Sequence, residues 1–132
     1  MSKYKDTIYA LSTPTGKSAI AVIRISGDKS LDILKKISSI KKIIPNKIKL
    51  TFLKFEKQII DQTLVVYFKK PYSFTGEEMV EINCHGSIAI ITKISEILEI
   101  LGTRLAEPGE FSRRSLMNEK LDLFKLRDWL IL

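Results

Sequence analysis

The chain has 132 residues, 45% hydrophobic and 28% charged, proportions that fit one globular domain with one ordinary core. No window approaches the roughly 18 unbroken apolar residues of a membrane span, MSKYKDTIYAL lacks a signal-peptide apolar region, and the lone Cys84 excludes an internal disulfide, so a cytoplasmic protein with no membrane association is expected. The net charge of +7 comes from 22 Lys and Arg against 15 Asp and Glu, and its lysines concentrate between Lys29 and Lys57; in a chain so rich in Lys and Ile we read it mainly as solubility rather than RNA binding.

Thr7–Ser12 is a short β-prone run closed by a turn at Thr13-Pro14-Thr15-Gly16, and Ala19–Ile25 (AIAVIRI) is a second strand. Strand alternation places Ala19, Ala21, Ile23 and Ile25 on one face and Ile20, Val22 and Arg24 on the other. Arg24 is then a lone guanidinium on an apolar strand, which calls for a carboxylate partner or an anionic ligand. Thr15-Gly16-Lys17-Ser18 imitates the end of a phosphate-binding loop. Leu11 stands where the first glycine would be needed, and a strand follows rather than a helix, so it is not a nucleotide loop.

Gly27-Asp28 begins a helix that Asp28 can cap, with Leu31, Leu34, Ile37 and Ile40 on its apolar face. Pro45-Asn46 breaks the chain. Lys47–Phe55 alternates Lys with apolar residues as a half-exposed strand, and Gln62–Lys69 is a more buried strand that pairs with it as a hairpin. After the turn-rich loop Pro71–Gly76, Met79–Cys84 forms another strand, with Val80, Ile82 and Cys84 on the apolar face and Met79, Glu81 and Asn83 opposite. Glu81 mirrors Arg24: one charge on a core strand. Ile88, Ile91, Ile94, Leu98 and Leu101 make the buried stripe of a helix that Gly102 ends, and a short strand follows near Thr103–Ala106. The order β-β-α-β-β-β-α-β predicts an α+β single domain, a mixed sheet with packed helices. Cys84 and His85 have no ligand companions at workable spacing, so no metal site is expected; Cys84 reads as a packed thiol and His85 as a turn or cap residue.

Gly102–Leu123 is dense in charge and turn chemistry. Pro108-Gly109 is a turn, Glu110-Phe111-Ser112 a helix entry with Arg113-Arg114 further in, Asn118 a helix stop and Asp122 a new N-cap, which places Lys120 on a corner suited to meeting an anion. RLAEPGEFSRRSLMNEKLDL resembles the R-x-A-x-PGEF-[ST]-x-RA-F-L-N-x-KLDL signature of the bacterial tRNA-modification GTPases (MnmE/TrmE type). Asp6–Gly27 and Pro71–Ser87 resemble two further blocks of that family, in the same order. The resemblance covers the N-terminal folate-binding domain, residues 1–123, and not the helical or GTPase domains. It implies a homodimer that holds 5-formyl- or 5,10-methylene-tetrahydrofolate at its interface. It also implies that GTP and potassium belong to a domain missing here, and that tRNA and a flavin-dependent partner protein act with the whole protein on C5 of the wobble uridine.

Carried over by position, the family's folate contacts fall on Arg24, Glu81 and Lys120. A carboxylate matches the adjacent ring N–H and amino donors of a pterin, and a cation suits the tail carboxylates. Neither catalytic residues nor independent enzyme activity are expected. The alternatives are a stand-alone folate-dependent enzyme resembling aminomethyltransferases, or a dimerisation scaffold that no longer binds folate. In 124–132 the resemblance stops; that tail reads as the start of a truncated helical domain or as a frame-shifted end. One synonymous encoding of Leu126–Ile131, read in another frame, restores the family's Ala-Glu-x-x-Ala-Asp pattern.

Overall fold

The computed structural model describes residues 6–12 and 19–119. Two apolar runs start the sheet: β1 (Thr7–Leu11) and β2 (Ile20–Ser26) pair antiparallel, with Ala10 opposite Arg24. On the other side of β2 lies β5 (Met79–His85), antiparallel, with Arg24 directly opposite Glu81. β4 (Gln58–Phe68) and β3 (Lys49–Phe55) continue outward, and β6 (Thr103–Leu105) adds parallel to β1. The strand order is β3-β4-β5-β2-β1-β6, a mixed sheet. With α1 (Ser30–Ile37), α2 (Ile88–Ile100) and a third helix, α3, over residues 110–119, this is the expected α+β domain.

The period-two pattern decides which face is covered. Ala21, Ile23 and Ile25 of β2 line up with Val80, Ile82 and Cys84 of β5, and Tyr9, Leu53, Val65 and Tyr67 extend the surface. Onto it pack Ile33, Leu34 and Ile37 of α1 and Ile94, Ile97 and Leu98 of α2. Each such large aliphatic side chain, fully buried, contributes roughly 1.5–3 kcal/mol. The opposite face carries Arg24, Glu81 and Ser26. Ser26 is buried there under the loop between β4 and β5, bonding Thr75 Oγ1 at 2.7 Å and donating to Glu77 Oε1 at 2.7 Å.

Local departures from the sequence reading have physical causes. Asp28 does not cap α1: Lys29 holds the N-cap position without a side-chain cap, and Thr7 Oγ1 on β1 accepts the Lys29 N–H at 3.1 Å. Gly27 permits this approach, since a Cβ there would lie 2.7 Å from Thr7 Cα. The helix also ends at Ile37, so Ile40 reaches the core from the following loop. β4 begins at Gln58, four residues ahead of the expected Gln62, because Glu56 and Lys57 turn the hairpin at φ 50° and 66° without a glycine. On β3, Thr51 and Leu53 point inward while Leu50 (64% exposed) and Phe52 face solvent. Ile88 is 84% exposed at the start of α2 and takes no part in the buried stripe. α3 runs through Asn118 rather than stopping there.

Candidate functional site

Arg24 and Glu81 meet because β2 and β5 are neighbours in register and both residues fall on the face opposite α1 and α2. Arg24 Nε donates to Glu81 Oε1 at 2.7 Å, and Nη1 donates to Ser12 Oγ at 2.9 Å. Their side chains stay 38% and 24% exposed, so the pair is open to a ligand. A cavity of about 290 Å³ opens beside it, lined by Arg24, Glu81, Phe68, Phe74 and Met79. A second, of about 640 Å³, lies on the Ser12 side of Arg24 and runs along Phe74, Leu105 and the stretch from Ala106 to Ser112. Arg24 and Phe74 line both. The arrangement offers a carboxylate acceptor and a guanidinium donor at the floor, with aromatic and thioether walls able to hold a flat ring.

The loop carrying Phe74 is fixed at several points. Glu78 accepts the Tyr67 hydroxyl through Oε2 and the Lys70 N–H at 2.9 Å through Oε1. Burial, then the Glu78 carboxylate, pushes the Tyr67 phenol far above its ordinary range. Ser73 Oγ donates to the Glu77 carbonyl at 2.5 Å, and the Asn118 amide donates to the Thr75 carbonyl. Gly76 sits at φ +80° where a Cβ would be 2.8 Å from Asn118 Cβ, so loop and helix touch only because this residue has no side chain.

Beneath that contact lies a charge cluster the sequence reading missed. Arg114, fully buried on α3, reaches Glu77 through Nη1 (3.1 Å), and Glu110 (3.0 Å) and Asp6 (2.9 Å) through Nη2. Arg104 on β6 grips Glu110 with both terminal nitrogens, at 2.8 and 2.6 Å, and Asp6 with Nε at 2.5 Å. One signal was available: Glu110 and Arg114 are spaced i, i+4 on a helix. The cluster ties β1, β6, α3 and the Phe74 loop into one wall around the cavities.

Its electrostatics predict acid sensitivity. Hydrogen bonds from Arg104, then from the Glu107 N–H and Arg114, outweigh burial and hold the Glu110 carboxyl at about 2, below its ordinary 4.5. Asp6 is lowered too, chiefly by Arg104. A carboxyl depressed in the folded state stabilises above its unfolded value and loses that stabilisation as pH falls toward the folded one. The urea midpoint should therefore fall steadily below about pH 4.5. A midpoint flat down to about pH 3 would show that the cluster contributes nothing.

At the far end of β5, His85 is held by Asp61, which accepts its backbone N–H at 2.8 Å and meets Nδ1 at 2.7 Å. His85 is thus the last residue of β5 rather than the expected turn or cap residue, and Ser87 takes the N-cap position of α2. Cys84 is buried, and burial followed by the Asp61 charge pushes its thiol up to about 11, so it is the packed thiol expected. Among the described residues no group of three or more His, Cys, Asp or Glu could hold a metal ion, and no helix is long and apolar enough to cross a membrane. Lys120, the Thr15–Ser18 loop, Asp122 and the 124–132 tail lie outside the described residues.

Comparison with known proteins covers the same elements. The family described as "GTP-binding protein TrmE N-terminus" matches residues 7–120. The chain is 47% identical over 122 residues to the tRNA modification GTPase MnmE of Sulfurovum sp. (strain NBC37-1), covering 92% of this chain and 27% of that protein. It is 50% identical over 127 residues to that of Fervidobacterium nodosum, covering 92% and 28%. It is 43% identical over 121 residues to that of Helicobacter pylori (strain HPAG1), covering 92% and 26%. The chain thus spans about a quarter of the length of these relatives. A match that runs from β1 past α3 and takes in Arg24, Glu81, Glu77, Arg104, Glu110 and Arg114 establishes that this chain belongs to the TrmE N-terminal domain family.

Proposed function

We propose that this chain is the one-carbon tetrahydrofolate-binding and self-pairing domain of a GTPase that modifies C5 of the tRNA wobble uridine. The observation that carries the reading is the Arg24–Glu81 pair at the floor of a cavity walled by Phe68, Phe74 and Met79. Glu81 accepts from the ring N–H and amino group of a pterin; an ionised carboxylate has about four lone-pair sites, so Arg24 leaves room for both. Phe68 and Phe74 cover the ring faces, while Arg24 and Lys120 are the cations for the tail carboxylates or the one-carbon group. Bound 5-formyl- or 5,10-methylene-tetrahydrofolate supplies the carbon that the whole protein transfers. GTP and potassium belong to the GTPase portion, and the flavin-dependent partner and tRNA meet the whole assembly.

Calorimetric titration with 5-formyltetrahydrofolate tests the reading. One saturable site per chain is expected. A second reading, a pairing scaffold without folate, is favoured by the fact that Arg24 and Glu81 already satisfy one another; a titration without heat would establish it. Self-pairing is checked separately. A site shared across a two-fold gives a closed dimer, so sedimentation with folate present should show one, and monomer alone at high concentration would sink the shared site.

A further inference from the structure

Between Ile33 and Phe55 the chain carries seven lysines and no aspartate or glutamate, a charge equal to the +7 of the whole molecule. The fold gathers them. Lys35 and Lys36 close α1, Lys41, Lys42 and Lys47 follow in the connecting loop, and Lys49 and Lys54 lie on β3, the edge strand. α1 packs beside β3, and the Ser39 N–H donates to Thr51 Oγ1 at 3.3 Å, joining the loop to that edge. All of these lysines are exposed except Lys49, which is half-buried. Among the described residues every salt bridge is made by an arginine or His85, and none by a lysine. The arginines hold the fold together; the lysines along this side are uncommitted.

Some have ordinary duties. Lys35 and Lys36 answer the C-terminal dipole of α1, and Lys49 and Lys54 guard an exposed strand edge. Lys41, Lys42 and Lys47 do neither, since α1 has ended and β3 has not begun.

The composition alone reads as solubility; from the segregation of these lysines in the fold we infer instead that the side formed by α1, the 38–48 loop and β3 docks the phosphate backbone of a folded RNA. The identity of the polyanion rests on the tRNA reading above; the surface itself rests on the charge. Lysine ammoniums are mobile point charges without a fork for bidentate reading, which suits contacts that position a backbone and leave sequence unread.

Retention of an unmodified tRNA transcript by this chain, from about 50 to 200 mM KCl, is the test. The affinity should fall linearly on a log–log plot. Lys41→Gln/Lys42→Gln/Lys47→Gln should weaken binding at least about tenfold near 100 mM and lower the slope by about one for each lysine that meets a phosphate. Lys93→Gln changes charge away from this side, since Lys93 is exposed on α2. It should keep most of the affinity. Three results overturn the proposal: no retention even at about 50 mM, equal losses per lysine in both variants, or capture of poly-L-glutamate without RNA, which would mark an acidic protein as the partner. The triple variant should still titrate with 5-formyltetrahydrofolate. A chain that binds RNA but no folate fails the folate reading alone.

Discussion

Arg114→Met is expected to destabilise the domain by about 3–5 kcal/mol, the usual loss when one partner of a buried ion pair is removed. Methionine fills much of the same volume, so the loss comes from charge rather than from a cavity. Glu77 and Glu110, 9% and 2% exposed, would be left with their carboxylates facing the space the guanidinium filled. Arg104 would still hold Glu110, but Glu77 would keep only the Ser26 hydroxyl as a partner on Oε1. Glu77 should then be the more costly orphan, and Glu77→Gln added to Arg114→Met should recover part of the stability, a coupling read from a double-mutant cycle. Urea unfolding of the three variants measures it. An unchanged midpoint for Arg114→Met would mean that the cluster is solvated in solution.

This cluster marks where the sequence stopped being readable. The strands around Ile23, Ile25, Val80 and Ile82 were legible because alternation shows in a single run of residues, and the lone charges Arg24 and Glu81 stood out against it. Their direct pairing needed the register of β2 on β5, which no local pattern encodes. Arg114 and Asp6 are separated by 108 positions, so their contact exists only once the sheet has brought β1 and β6 together. Phe74 reads as one more loop residue until Glu78 and Gly76 fix the loop around it. The Glu56-Lys57 turn was hidden for another reason: two long charged residues occupy a conformation that usually advertises itself with Asn or Gly.

Glu81→Gln should weaken 5-formyltetrahydrofolate binding by about 1–3 kcal/mol, roughly five- to 150-fold, while the domain stays folded. The substitution keeps shape and volume and, on the proposed folate reading, turns one acceptor oxygen into a donor that would oppose a pterin N–H or amino group. It also removes the ion pair with Arg24, but that pair is part-exposed at 38% and 24%, so its loss should cost stability little. Arg24 keeps Ser12 as an acceptor. The two effects separate cleanly: calorimetry should show the drop in affinity, and the urea midpoint should move by less than about 1 kcal/mol in free-energy terms. Arg24→Gln provides the contrast, because it leaves the Glu81 acceptor pair intact for the pterin. If Glu81→Gln binds as tightly as the parent while Arg24→Gln does not, the carboxylate serves only to aim the guanidinium, and the ring edge must be read elsewhere in the cavity.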